Sequence, residues 1–223
     1  KIDPEYLVPL FLATSKVEEI RKENLPDYPF VIKTDHDSEG VILVRDKSKE
    51  NYLEIQAALR KRLRKNHYRG TKEWQYKNIE SSVLVESMLI DEDGHVPDDY
   101  KVHCFHGKPE FIQVNIDRFG TSRCSKEQSF PISFCNRNWE KIKIKWGSNV
   151  IGSNIRRPEL LAKLLIAAQR LAESVVYARI DFFIVRGKLF FGEITLHPTS
   201  GWLKLDSETD LHWGNLLQRT RKK

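Results

Sequence analysis

The run Ala178-Arg179-Ile180-Asp181-Phe182-Phe183-Ile184-Val185-Arg186-Gly187-Lys188-Leu189-Phe190-Phe191-Gly192-Glu193-Ile194-Thr195-Leu196-His197-Pro198 decides the fold. It reads as two strands flanking an Arg186-Gly187 turn. Side chains alternate along a strand, so Arg179 and Asp181 share one face of the first strand, and Glu193 and Thr195 share one face of the second. Carboxylates within otherwise apolar strands are costly to bury. A divalent cation bridging nucleotide phosphates is one common way to offset that cost. An amphipathic hairpin with solvated carboxylates is the other reading of the same residues.

Register separates the two. For Asp181 to sit directly opposite Glu193, pairing must be centred on Gly187, which takes an odd-length loop or a bulge. A plain two-residue turn puts the two acids on opposite sides of the sheet.

The chain has 223 residues, enough for one large domain or two small ones with a real core. Hydrophobic residues make up 40% and charged residues 30%, the balance of a soluble globular chain. No apolar run reaches the roughly 20 residues that span a bilayer, and no secretory signal is visible. Three cysteines, Cys104, Cys124 and Cys135, with no CxxC spacing, argue against a disulfide framework or zinc knuckle and fit a reducing cytosol. On a strand His103 and Cys104 point to opposite faces, which speaks against a metal site there. The net charge of +6 favours anionic partners. The sharpest basic cluster, Arg60-Lys-Arg-Leu-Arg-Lys65, reads as a solvated helix face.

Along the chain, residues 1–28 read as a short helix or turn region followed by a helix at Val17–Glu23, broken by Pro26, Asp27 and Pro29. Phe30–Lys33 and Val41–Val44 form a hairpin around the polar loop 34–40. A helix follows over 48–65 with Ser48 as N-cap, then a strand from Ser82 ending in Glu86. Tyr100–Phe105 and Glu110–Ile116 make a second hairpin. Residues 117–156 read as irregular. A helix from Pro158 to about Val176 presents Leu160, Leu164, Ala168, Leu171 and Val175 to a core. The order is α+β with antiparallel hairpins, without GxGxxG or a Walker loop.

Chemistry collects on a few of these elements. Lys33 ends a strand before a polar loop, where its ammonium can meet a phosphate while loop N–H groups cover others. Glu86 is followed by Ser87-Met88-Leu89, whose exposed backbone can pair with an adenine edge between apolar walls. Asp181 and Glu193 could hold magnesium between phosphate oxygens.

This order resembles the ATP-grasp superfamily, and more narrowly the TupA-like (teichuronopeptide-biosynthesis-type) ATP-grasp proteins of bacterial surface-polysaccharide clusters. The likeness runs from about Tyr6 to Leu217. It rests on Tyr6-Leu-Val-Pro-Leu, Phe30-Val-Ile-Lys33-Thr-Asp-His36-Asp-Ser38-Glu-Gly40-Val, Glu73-Trp-Gln-Tyr76-Lys77, Asp99-Tyr-Lys101-Val with Gly107-Lys, Arg118, Asn138-Trp139-Glu, and the closing hairpin with His197-Pro.

The resemblance implies an ATP-grasp fold: two α+β subdomains with antiparallel sheets clasping ATP. Residues 1–28 would end a leading segment and linker, 29–88 would carry the phosphate-covering loop, and 89–223 the metal site. Lys33 and Lys101 would contact phosphates, with His36, Ser38 and Gly40 in the covering loop. Glu86, Met88 and Leu89 would form the adenine hinge. Asp181, Glu193 and Thr195 would bind Mg2+, Thr195 standing where most of the superfamily carries Asn. Arg179, with Lys101, would be catalytic, stabilising the acyl phosphate and tetrahedral intermediate. Arg118, Arg123 and Trp139 would meet the substrate.

The implied activity is ATP- and Mg-dependent amide formation between a uronic-acid carboxylate and an amino acid or small amine, in capsule or cell-wall polysaccharide synthesis. The expected location is the cytoplasm, with peripheral attachment at the inner membrane face as a variant, and nucleic acid is not an expected partner. The loop departs from the family at Asp37 and Glu39, where glycine is usual; acids near a triphosphate repel it unless they point away or meet a second metal.

Two rivals remain. Asp91-Glu-Asp93 resembles the metal motif of a glycosyltransferase, and the same residues make an ordinary acidic turn. The positive charge suits a binder of RNA or acidic polymer, yet the basic residues are not gathered into a stripe with stacking aromatics.

Overall fold

A computed structural model describes residues 2–37, 40–116, 130–144 and 155–218. The chain divides into two compact units, Val8–Met88 and Leu89–Lys223 with Lys1–Leu7.

The Val8–Met88 unit holds an antiparallel sheet of β1 (Leu10–Thr14), β2 (Phe30–Thr34), β3 (Ile42–Val44) and β4 (Val83–Ser87), in the order β1-β4-β2-β3. The sequence reading has no strand at β1. Its residues alternate only weakly in burial, and Leu10 and Phe11 are about half exposed at the sheet edge, so the period-two signal is faint. The expected helix at Val17–Glu23 is instead two 3-10 turns, Val17–Glu19 and Lys22–Asn24.

Helix α1 (Tyr52–Leu63) packs Ile55 and Leu59 on Phe30, Ile32, Val44, Val83 and Val85. Its N-cap is Asn51, not Ser48. The Asn51 side chain accepts the Glu54 N–H at 3.4 Å and donates to the Glu54 carboxylate at 2.8 Å, a reciprocal cap between the N-cap and the third helical residue. Ser48 lies in a preceding 3-10 turn capped by Asp46, whose carboxylate accepts the Ser48 N–H at 2.9 Å. A short α2 (His67–Thr71) follows.

The larger unit is built on a five-stranded antiparallel sheet. Its strands are β5 (Asp99–Phe105), β6 (Lys108–Asn115), β7 (Ile132–Asn136), β8 (Tyr177–Val185) and β9 (Lys188–Thr195), in the order β7-β6-β5-β8-β9. One face carries Val102, Cys104, Ile112, Val114, Ala178, Ile180 and Phe182. It packs on α3 (Leu161–Ala172) through Leu161, Leu164, Ala167, Ala168 and Ala172. The helix starts three residues after Pro158, whose carbonyl accepts the Leu161 N–H at 3.1 Å. Strand β7 and helix α4 (Ser207–Gln218) were not expected. At the other face Trp213 and Leu216 of α4 close an aromatic cluster with Phe105, Phe111, Phe134 and Tyr177.

The β8–β9 turn is the two-residue Arg186-Gly187, both in left-handed conformation (φ 48° and 70°), the geometry that matches strand twist. Asp181 nevertheless pairs directly with Glu193, because the register shifts between Asp181 and Phe182 and leaves Gly192 as an extra residue on β9. A Cβ on Gly192 would stand 3.2 Å from the Asp181 carbonyl oxygen and 3.2 Å from Phe183, so a side chain at the bulge would crowd both. Turn and bulge together place the two acids on one face.

Candidate active site

The face opposite α3 is a ladder of polar side chains. Across β5, β8 and β9, His103 pairs with Arg179 and Arg179 with Thr195, while Lys101 pairs with Asp181 and Asp181 with Glu193. Asp99, Lys101 and His103 recur at every second residue, as strand pleating requires. On β6, Gln113 and Asn115 continue the rows opposite Lys101 and Asp99.

Arg179 is the hub. Its Nε donates to Asp181 Oδ1 at 2.7 Å, and one terminal nitrogen donates to Asp181 Oδ2 at 2.8 Å, Glu193 Oε1 at 2.8 Å and Thr195 Oγ1 at 2.9 Å. Lys101 is buried and its ammonium pairs with both Asp181 and, at 2.7 Å, Asp99. Such charges persist in the interior only when paired and hydrogen-bonded.

Burial alone would push the Asp181 carboxyl upward. The attraction of Lys101 and Arg179 outweighs it and holds Asp181 well below the usual carboxylate range. Glu193 behaves oppositely. More than half of its side chain is open to solvent, yet desolvation on its strand side and the Asp181 carboxylate push its pKa up against the pull of Arg179. The two carboxylates share Arg179, and a further cation beside them would relieve the repulsion that remains.

The donor set fits magnesium. It consists of two carboxylates facing each other across neighbouring strands and a hydroxyl, Thr195 Oγ1, 3.1 Å from Glu193 Oε1. All are hard oxygen ligands, the kind Mg2+ takes. Among the described residues no group of three or more His, Cys, Asp or Glu is arranged to hold a metal. One or two carboxylates with substrate phosphates and water is the usual magnesium arrangement.

Beneath this cluster runs a row not anticipated from the sequence. Tyr177 Oη meets His103 Nδ1 at 2.9 Å, His103 Nε2 meets Gln113 Oε1 at 3.4 Å, and Gln113 donates to Asn115 at 2.7 Å. Burial, then the nearby Arg179, depress the His103 pKa to about 3, so the ring is neutral and stacks on Phe111 at 4.3 Å. The signal for these residues was available: polar side chains at period two in β5 and β6.

In the Val8–Met88 unit, Lys33 on β2 and Glu86 on β4 form an ion pair at 2.6 Å, both partly buried. Met88 is buried and donates its N–H to the Pro29 carbonyl at 3.1 Å, which fixes the chain just before Leu89. His36, expected in the phosphate loop, is 4% exposed, and its Nε2 donates to the Arg62 carbonyl at 3.2 Å. Gly40 has φ +105°, accessible without strain only to glycine.

Trp139 lies on the α3 side of the sheet, opposite Lys101 and Asp181. It packs beside Tyr100 and donates its indole N–H to Ile155 O at 3.2 Å. Ser38, Arg118 and Arg123 lie outside the described residues. Asp91 caps a turn, accepting the N–H groups of Asp93 at 3.0 Å and His95 at 2.8 Å, so its carboxylate is engaged as the acidic-turn reading expects.

Two sheets with an acid–arginine–acid ladder beside a bulged hairpin make an α+β protein with the features of an ATP-grasp fold. A model of the TupA-like ATP-grasp family matches residues 1–218, and the chain belongs to that family. Comparison with curated proteins gives no match.

Among solved structures the chain is similar to D-alanine–D-alanine ligase from Bacillus anthracis complexed with ATP, at 18% identity and TM-score 0.44, over 85% of this chain and 47% of that one. It is similar to D-alanine–D-alanine ligase from Helicobacter pylori at 18% identity and TM-score 0.47, over 96% and 56%. For the L-amino acid ligase from Bacillus licheniformis the values are 14% and 0.47, over 88% and 38%. The chain spans about half the length of these ligases.

Proposed function

We propose that this chain carries the nucleotide and catalytic machinery of an ATP-dependent ligase. It would join a uronic-acid carboxylate to an amino acid or small amine, in capsule or cell-wall polysaccharide synthesis. Membership of the TupA-like family supports the reading. The observation that carries it is the register of β8 on β9, which sets Asp181 against Glu193 with Arg179 hydrogen-bonded to both.

A substrate carboxylate oxygen attacks the γ-phosphorus of ATP, the bond to the β-phosphate oxygen breaks, and ADP leaves. The acyl phosphate then receives a neutral amine at its carbonyl carbon. The C–O bond to phosphate breaks, the amine loses its proton to the departing phosphate or water, and an amide remains. Mg2+, held by Asp181, Glu193 and Thr195, would neutralise charge on the transferring phosphoryl group.

Lys33 supplies an ammonium for phosphate by leaving its pair with Glu86. Lys101 reaches a phosphate only by giving up Asp99 or Asp181; in place, it keeps the Asp181 carboxylate ionised. Arg179 presents a guanidinium in fixed orientation to the oxyanion of the tetrahedral intermediate.

The test combines melting temperature with Mg-ATP, Mg-ADP or UDP-sugars and ADP release across a panel of uronic acids and amines. A Mg-ATP shift and uronic-acid-dependent ADP release are expected, since a ligand of the native state raises its stability. A shift with UDP-sugars alone would turn the assignment to a glycosyltransferase. ADP release that depends on other carboxylates would remove the polysaccharide role.

A further inference from the structure

The basic run at the end of α1 is more than a solvated face. Arg62 grips the connection from β2 to β3 at three points. Its carbonyl accepts from His36 Nε2 at 3.2 Å. Its Nη1 donates to Asp37 Oδ2 at 2.8 Å, where the two side chains are 23% and 9% exposed. Its side chain lies against Gly40, so close that a Cβ there would fall 2.5 Å from Cζ and Nε. The other Asp37 oxygen accepts from Thr34 Oγ1 at 2.5 Å. Asp35, at the start of the connection, is fixed by the Ser82 N–H on its carboxylate at 2.8 Å.

We propose that Arg62 is a positioning residue for ATP: it fixes His36 and Asp37 just after β2 and cancels the charge that Asp37 would otherwise turn toward a triphosphate. This rests on the ATP-binding reading above. A carboxylate on a phosphate-covering connection repels its ligand, and the repulsion is strong where burial limits screening. The Arg62–Asp37 pair removes that repulsion at its source and spends the carboxylate on anchoring. An acid can therefore occupy a position where a flexible glycine would otherwise serve, with Asp37 held by Arg62 and Thr34. Gly40 is part of the same arrangement, because any side chain there displaces the guanidinium from Asp37.

Two measurements test this on the full chain. The first is amide hydrogen exchange at residues 35–37 without nucleotide, in wild type and Arg62→Met. Exchange faster by tenfold or more in the variant is expected, and unchanged exchange would overturn the anchoring role. The second is the KM for ATP from ADP release, in Arg62→Met, Arg62→Lys and the double variant Arg62→Met with Asp37→Asn.

Arg62→Met should raise KM at least tenfold with kcat within threefold. Arg62→Lys should recover part of the loss. The double variant should recover at least threefold of that loss, because a neutral amide at position 37 repels nothing, and the missing anchor should keep it short of wild type. A double variant as impaired as Arg62→Met would mean that the Asp37 charge is not what Arg62 cancels, and the proposal would fall. A wild type without ATP response defeats the ATP reading alone, while the exchange comparison still decides whether Arg62 holds the connection.

Discussion

Lys101→Met removes one ammonium from the buried ladder and keeps most of the aliphatic stem. In the wild type that ammonium sits between Asp99 and Asp181, each about 2% exposed. Without it Asp181 retains Arg179, and two buried carboxylates lose a shared partner. Breaking a buried pair by deleting one member costs about 3–5 kcal/mol. With the stem's packing preserved, the lower end, about 3 kcal/mol, applies. At roughly 2–4 °C per kcal/mol for a chain of this size, the melting temperature should fall by about 6–12 °C at pH 7.

The pH dependence separates charge from packing. Asp181 is held below its unfolded pKa, so its contribution is complete above about pH 4 and fades as pH falls through the depressed folded value. Lys101 is one cause of that depression, so the gap between wild type and variant should narrow as the pH is lowered from 7 to 3. Circular-dichroism melts across that range provide the assay. A loss under 2 °C at pH 7, or a gap that stays constant into acid, would refute the ion-cluster account.

Glu193→Gln should abolish Mg-dependent ADP release while keeping the melting temperature within about 2 °C, since the side chain is largely exposed and surface changes are small; full ADP release would remove the metal assignment. Gly192→Ala should cost about 1–3 kcal/mol by forcing a Cβ onto the Asp181 carbonyl and Phe183, read by urea unfolding. Leu59→Ala, fully buried on the sheet-facing side of α1, should cost about 2–5 kcal/mol in the same assay. His103, with a pKa depressed to about 3, should stay neutral at pH 5 in nitrogen NMR shifts, and it contributes stability that is lost between about pH 6.5 and 3. A midpoint above 5 would refute a neutral ring held by burial.

Much of the fold was legible because the hairpins carry strong local signals. The alternation of Arg179 with Asp181 and of Glu193 with Thr195 gave the β8–β9 face, and the need for a bulge followed from counting residues. Where the bulge falls was not legible, since Gly192 and Gly187 are both plausible in sequence and only the close approach to the Asp181 carbonyl selects Gly192. Strand β7 escaped notice because Ile132, Ser133, Phe134 and Cys135 are all buried, which erases the two-residue rhythm. Helix α4 escaped because Gly214 and scattered polar residues blur its apolar face, and only Leu216 is fully buried. Arg62 looked like its basic neighbours; its partner Asp37 is 25 residues away, a distance that composition cannot read.

The bulge at Gly192 decides which side of the sheet the end of β9 presents. Counted out from the Arg186-Gly187 turn, an unbroken ladder would set Gly192 opposite Asp181 and Glu193 opposite Ile180. Glu193 and Thr195 would then turn onto the face that packs on α3, and Ile194 would leave it. Deleting Gly192 would instead keep Glu193 opposite Asp181 in a plain two-residue hairpin. One surplus residue thus lets a tight turn and a facing pair of acids coexist in a single hairpin.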